Sequence, residues 1–316
     1  MPIVIKALQP QAYICTGVWM SILRDNINSG PAGLRKLLDS KEIIIAPGVF
    51  DGISAIIAEK AGFNALYLSG SGIAGVMGLP DLSVTTMDEV LHSVRNIVAV
   101  SKSPLIVDVD TGFGEPLNVI RTVRELERAG GAGMHIEDQK LPKKCGHLNG
   151  KVIVPEGEMA EKLDAAVSAR KNKDFVIIAR TDSRAVEGLD AAIVRANRYV
   201  RHGADAIFVE ALESKEEFEE CARKIKAPLL ANMTEYGKSP LLSAGELEKI
   251  GCKIVIFPLT AFRSTLSTME TVYGELRSKG TQRDMLDSIM QREKFYDIIG
   301  YDEYEKEDDE ISRHIK

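Results

Sequence analysis

A chain of 316 residues with 45% hydrophobic and 27% charged side chains has the make-up of a soluble globular protein with a sizeable core. Its net charge of -6 argues against non-specific attraction to nucleic acid or anionic membrane, since both are polyanions, and no window reaches the roughly 18 uninterrupted apolar residues of a spanning helix. Cys15, Cys145, Cys221 and Cys252 stand far apart without CxxC spacing; neither a disulfide framework nor a zinc site is expected, and a reducing, cytoplasmic setting is.

The first 24 residues carry no acidic side chain. They lack the Arg/Ser richness of a transit peptide and a small-residue cleavage site, so residues 1–30 read as an extension, with Met20 an alternative start. The spacing of Leu34, Leu37 and Leu38 then predicts a short helix that caps another element. Continuous branched runs follow at 42–48, 65–69, 104–110, 133–137, 175–180, 205–210, 228–232 and 252–257. Each is too continuous to be a half-exposed strand. Between them lie helical patterns that end in glycine, as at Ala61-Gly62, Ala129-Gly130 and His202-Gly203. Eight strand–helix units with right-handed crossovers predict a (β/α)8 barrel over residues 31–282, an open doubly wound sheet being the alternative.

Chemistry in such barrels sits at the C-terminal ends of the strands, and those ends are polar. The second run ends in Ser69-Gly70-Ser71, whose glycine permits close approach and whose hydroxyls and backbone can donate to a substrate carboxylate. Gly70-Ser71-Gly72-Ile73-Ala74-Gly75 also fits G-x-G-x-x-G and raises an NAD(P)-dependent oxidoreductase of a different class, although the acidic residue expected about twenty positions on is missing. The third run ends in Asp108 and Asp110, which strand alternation places on one face, as it does His135 and Glu137 on the fourth. Three buried carboxylates repel one another unless a cation joins them. Oxygen ligands suit Mg²⁺ or Mn²⁺, while salt bridges to Arg180 are the other reading. His135 is assigned a supporting role.

The fourth run leads into Leu141-Pro142-Lys143-Lys144-Cys145-Gly146-His147-Leu148-Asn149-Gly150-Lys151, a cysteine among three lysines and a histidine, between glycines that allow a hinge. Such cations favour thiolate and lower a cysteine pKa from roughly 8.5; Cys145 is expected to be reactive and its loop mobile. Further along, Arg180 and Arg263 are bidentate carboxylate partners, and Asn232 and Thr234 are neutral donors. Together they describe a small di- or tricarboxylate substrate. Cys221 and Cys252 read as core. Beyond the eighth run a helical pattern continues past Gly280 through Met285, Ile289, Met290, Phe295, Ile298 and Ile299. This surplus apolar surface, residues 283–316, is expected to meet a partner, with 302–310 a solvated acidic tail.

Several stretches carry a family likeness: Tyr67-Leu68-Ser69-Gly70-Ser71-Gly72, Gly78-Leu79-Pro80-Asp81-Leu82, Asp108-Val109-Asp110-Thr111-Gly112-Phe113-Gly114, His135-Ile136-Glu137-Asp138-Gln139, Lys143-Lys144-Cys145-Gly146-His147, Ala179-Arg180-Thr181-Asp182 and Leu230-Ala231-Asn232-Met233-Thr234-Glu235. From about residue 34 to 304 the chain resembles the isocitrate lyase and phosphoenolpyruvate mutase superfamily, in particular its methylisocitrate lyase branch. The resemblance implies a (β/α)8 barrel with its last helix exchanged between subunits, usually in a homotetramer. It also implies a Mg²⁺-dependent, retro-Claisen-type cleavage of 2-methylisocitrate to pyruvate and succinate. By matching motifs, Asp108 and Asp110 resemble the metal pair, with Glu137 contacting through water. Ser69, Gly70, Ser71, Gly146, Arg180, Glu210, Asn232, Thr234, Arg263 and, less closely, Arg292 resemble substrate contacts. Cys145 resembles the catalytic cysteine of a gating loop, with His147 beside it and Asp81 in support. Val209 and Ser71 depart from the proline and glycine common in the branch. The loop sequence separates the chain from the mutase and phosphonate-hydrolase branches and leaves 2,3-dimethylmalate lyase open.

Overall fold

The computed structural model describes residues 28–314, and the expected Met20 start lies outside them. Eight parallel strands, β1 (Ile44–Val49), β2 (Leu66–Leu68), β3 (Leu105–Asp108), β4 (Gly133–Glu137), β5 (Val176–Thr181), β6 (Ala206–Val209), β7 (Leu229–Asn232) and β8 (Cys252–Phe257), follow one another round a closed barrel. β1 pairs with β8, Ile44 opposite Ile254, to shut it. An open sheet is thereby excluded, and with it the crevice that the dinucleotide reading needs. Strand side chains divide between two cores. Ile44, Ile106, Val176, Ile178, Phe208 and Ile256 fill the barrel, while Val107, Ile136, Ile177 and Val255 meet the surrounding helices. Both faces are covered, hence the continuous apolar runs.

Local signals set the helices between the strands. Thr86 and Glu89 form a reciprocal capping box that starts Met87–Val98, as Ser243 and Glu246 do for Ala244–Ile250, which satisfies backbone donors that would otherwise be orphaned. Pro116 opens Pro116–Ala129 and Gly130, at φ 89°, closes it. That helix turns Val119, Val123 and Leu126 onto the barrel, each burial worth about 1.5–3 kcal/mol.

The first described helix, Gly30–Asp39, does cap something. Leu34 and Leu38 join the barrel-interior cluster, and a Cβ on Gly133 would lie 3.1 Å from Leu34 Cδ2, so the helix stops the N-terminal end of the barrel. At the other terminus the expected continuous helix is interrupted. Thr260–Lys279 ends at Gly280 in the left-handed region, φ 65°, where glycine is free of the Cβ penalty. A 3₁₀ turn, Arg283–Ser288, and two helices, Arg292–Ile299 and Tyr301–His314, follow. The acidic run expected as a solvated tail is mostly exposed and helical, with the Tyr301 hydroxyl donating to Glu305 Oε1 one turn on. No helix among the described residues is long and apolar enough to cross a membrane.

Candidate active site

The carboxylates converge at the C-terminal mouth, though not all by strand alternation. Asp108 ends β3, whereas Asp110 lies past it at φ 48°; the chain has already turned, and it is the turn that brings Asp110 back to its neighbour. Its N–H donates to Asp108 Oδ1 at 3.0 Å. Gly70 N–H donates to Asp108 Oδ2 at 3.0 Å, so this amide holds the acid in place. A Cβ at Gly70 would stand 3.1 Å from Asp108 Oδ2 and 3.3 Å from Asp110 Oδ1, which explains the glycine without a nucleotide. Gly75 likewise packs against Phe262. His135 is wholly buried, Nε2 2.8 Å from the Tyr67 hydroxyl and 3.4 Å from Asp108 Oδ1, and burial pushes its pKa down.

Arg180, near the end of β5, is the hub. Its Nε and Nη2 reach Asp182 at 2.9 and 3.2 Å, Nη1 reaches Glu137 Oε2 at 3.2 Å, and Nη2 reaches Glu210 Oε2 at 3.3 Å. Its guanidinium carbon lies 5.1 Å from the Phe208 ring centroid. The salt-bridge reading of the carboxylates is therefore part of the site, yet it does not satisfy every oxygen. Asp110 Oδ1 and both Glu137 oxygens are buried with no well-directed hydrogen bond. Burial, reinforced by Asp108, raises the Asp110 pKa, and burial lifts Glu137 well above the ordinary carboxylate range despite Arg180 and Lys143. A cation would relieve both. Among the described residues no three His, Cys, Asp or Glu side chains gather tightly enough to enclose an ion alone. The paired Asp108 and Asp110 carboxylates are nonetheless the hard oxygen donors of which Mg²⁺ takes one or two, the rest of its shell coming from water and substrate.

The 141–151 loop covers this mouth, with its lysines employed differently from expectation. Lys143 Nζ stands 2.5 Å from Asp81 Oδ1 and 2.8 Å from Asp110 Oδ1; Glu137, Asp110, Asp108 and Asp81 hold it charged against the cost of burial. Lys151 Nζ donates to Gly146 O and, at 2.9 Å, to Asp182 Oδ1. Lys144 is exposed. With two lysines paired to acids and the third in solvent, the Cys145 pKa is raised, by burial first and then by Asp81 and Glu210, a hydrogen bond from the His147 backbone opposing. The expected thiolate is corrected to a thiol, the form that can give a proton. His147 Nδ1 accepts the Lys238 N–H at 2.9 Å, and Nε2 faces Glu210 Oε1 at 3.0 Å without a well-directed hydrogen bond.

Ser69, Ser71, Asp81, Asp108, Cys145, Gly146, His147, Arg180, Glu210, Asn232 and Thr234 line one cavity of about 60 Å³. Asn232 Nδ2 lies 3.4 Å from Glu210 Oε1. Three expected substrate contacts do not line it, the first being Gly70, whose amide is given to Asp108 instead. Arg263 is at the rim, its guanidinium carbon 5.0 Å from the centre of the exposed Tyr236 ring and Nη1 donating to Glu235 O at 3.1 Å. Arg292 begins an outer helix and is exposed. Tyr67, Lys143, Phe208, Pro258 and Leu259 also line the cavity and were not singled out from sequence. Lys143 stood in the singled-out loop, but its acidic partner Asp81 is 62 positions away. Cys221 and Cys252 are free and buried, as expected of core residues.

A closed barrel with acids, a hub arginine and a protonated thiol at its C-terminal mouth defines a carboxylate-handling enzyme of the barrel class. Residues 34–277 match the phosphoenolpyruvate phosphomutase family model, and the chain belongs to that family. It is 54% identical over 280 residues to the 2-methylisocitrate lyase of Aeropyrum pernix, covering 89% of this chain and 90% of the relative. To that of Bacillus subtilis it is 45% identical over 281 residues, covering 89% and 93%. Among solved structures, 2,3-dimethylmalate lyase superposes with a TM-score of 0.84 at 37% identity over 89% of this chain and 95% of the other. A phosphonopyruvate hydrolase complex with oxalate and Mg²⁺ superposes at 0.82 and 28% identity over 90% and 99%. Within the family the chain stands with the carbon–carbon lyases.

Proposed function

We propose that this protein cleaves 2-methylisocitrate to pyruvate and succinate, and the observation that carries the reading is the placing of Cys145 over a cavity walled by Arg180, Asn232, Thr234, Ser69 and Ser71, where burial pushes its thiol pKa up. Breaking the bond between the hydroxyl-bearing carbon and its neighbour passes the hydroxyl proton through a base to solvent, from which the Cys145 thiolate is later reprotonated, and leaves pyruvate. The electron pair passes to the carbon beside a carboxylate, and Cys145 Sγ–H gives that carbon its proton, completing succinate. Serine hydroxyls and the Asn232 amide orient the substrate carboxylates, while His147 holds Glu210 beside Arg180. Pro258 and Leu259 add an apolar wall suited to a methyl group. Asp108 and Asp110, with Glu137 through water, would hold Mg²⁺ or Mn²⁺, which when bound supplies Lewis-acid stabilisation of developing enediolate charge.

The helix Thr260–Lys279 has no buried residue, and Leu266, Met269, Tyr273 and Leu286 stand exposed. Such surface is what a homotetramer that exchanges its last helices would cover. A cytoplasmic setting agrees with the free cysteines. The likeness to 2,3-dimethylmalate lyase supports a second substrate. Keto-acid release coupled to lactate dehydrogenase, from 2-methylisocitrate, isocitrate and 2,3-dimethylmalate, each with Mg²⁺ and with excess EDTA, decides. Metal-dependent pyruvate from 2-methylisocitrate is expected; product from dimethylmalate alone moves the chain to the sister activity, and none from any of the three sinks the lyase reading.

A further inference from the structure

The cavity of about 60 Å³ is walled in part by Cys145, Gly146 and His147. That volume suits a few waters; a seven-carbon tricarboxylate enters only after the loop has moved away. In its seated position the loop presses backbone onto the charged hub, since a Cβ on Gly146 would meet Glu210 Cγ at 2.4 Å and Arg180 Nη2 at 2.5 Å. Its buried polar side chains are Lys143, His147 and Lys151. The first two reach out from the loop to acids of the barrel and its surrounding loops. Lys151 does something else. Its ammonium donates to the loop's own Gly146 carbonyl and, at 2.9 Å, to Asp182 Oδ1, the carboxylate that also grips Arg180 through Nε and Nη2.

These contacts make a closed circuit: Gly146, its neighbour His147, then Glu210, Arg180, Asp182, Lys151 and back to the Gly146 carbonyl. The Lys151 and Asp182 side chains are 1% and 0% exposed, so solvent ions screen the pair little. We propose that Lys151 is a positioning residue that couples the seating of the 141–151 loop to the set of the Arg180 guanidinium. Opening the loop parts His147 from Glu210 and Lys151 from Asp182 together and lets Arg180 shift; closing it resets Arg180 and brings back the Cys145 thiol in one step. The circuit rests on geometry, and only its activity readout rests on the lyase reading above.

The test compares the full chain with Lys151→Met and Lys151→Gln, with Mg²⁺ present, by three measurements. Peptide mass spectrometry follows alkylation of Cys145 by iodoacetamide, with and without saturating pyruvate plus succinate, Cys221 and Cys252 serving as buried controls. Hydrogen exchange follows the amides of 145–148 and of the strands, and steady-state kinetics follows kcat and KM. In the wild type the products should slow alkylation by at least ~10-fold. In both variants that protection should vanish and the 145–148 amides exchange faster, kcat should fall by ~100-fold, more than KM changes, and strand amides should keep their protection. Intact product protection with kcat within about threefold of wild type overturns the proposal. So does collapse of strand protection in both variants, which would make Lys151 a stability element. If the wild type neither turns over 2-methylisocitrate nor gains protection, the lyase reading has failed instead, and the exchange rate of the 145–148 amides alone decides the coupling.

Discussion

The mouth of the barrel and the C-terminal helices solve opposite problems. At the mouth, charged groups with little solvent access are gathered within one chain, Arg180 against three acids and Lys143 against two, although burial still lifts Asp110 and Glu137 above the ordinary carboxylate range. Along Thr260–Lys279 and beyond, large apolar side chains such as Tyr273, at 66% exposure, have no cover. Buried charge left alone costs far more than exposed apolar surface, so the chain pairs its buried charges first and leaves apolar surface open. The difference teaches where to look for chemistry and where to look for another copy of the chain.

Four changes break or sharpen that contrast. The largest effect should come from Cys145→Ser, whose hydroxyl is a far poorer acid. Turnover should fall by ~10³-fold or more, with Mg²⁺ and succinate binding retained by calorimetry; undiminished turnover would end the acid role. Gly146→Ala follows, since its new methyl collides with Glu210 and Arg180 and the loop cannot seat. A ~100-fold loss of kcat, with Cys145 alkylated faster than in the wild type, is expected. A Met269→Glu, Tyr273→Glu double variant addresses the other region. Light scattering should show smaller assemblies, and if the mouth is complete in one chain, turnover per chain should stay within about fivefold. A silent assembly state would show that these residues are not the covered face.

The smallest effect is a shift of pH profile. The raised Cys145 thiol must be protonated to act, so activity persists below its pKa and is lost as pH rises through it. The alkaline limb should therefore lie above the usual thiol value of roughly 8.5. A limb at or below that value would mean that the lysines, and not burial, govern the thiol.

Much of this was legible along the chain because it depends on near neighbours. All eight strands announce themselves as runs such as Phe175-Val176-Ile177-Ile178, and Gly130 marks its helix end by its own backbone needs. Ser69, Asp108, Arg180, Glu210 and Asn232 could be placed once strand ends were known. What escaped depends on partners distant in sequence. Lys143 and Lys151 look like a field acting on Cys145 until Asp81 and Asp182 claim them. Asp110 reaches Asp108 by a left-handed turn that alternation does not foresee. Arg263 and Arg292 were read from type and position, and neither lines the cavity.

The helix that plugs the far end of the barrel with Leu34 and Leu38 has a kinetic meaning. It completes an interior already filled by strand side chains such as Ile106, Ile178 and Phe208, so the barrel axis gives no passage and a cleaved substrate's two fragments share one exit, beneath the loop. They must depart in sequence, the inner one waiting for the outer. Each product added alone should then inhibit in a different pattern, one against free enzyme and the other against an enzyme still holding its partner fragment, and that asymmetry would trace back to a barrel packed from its plug to its mouth.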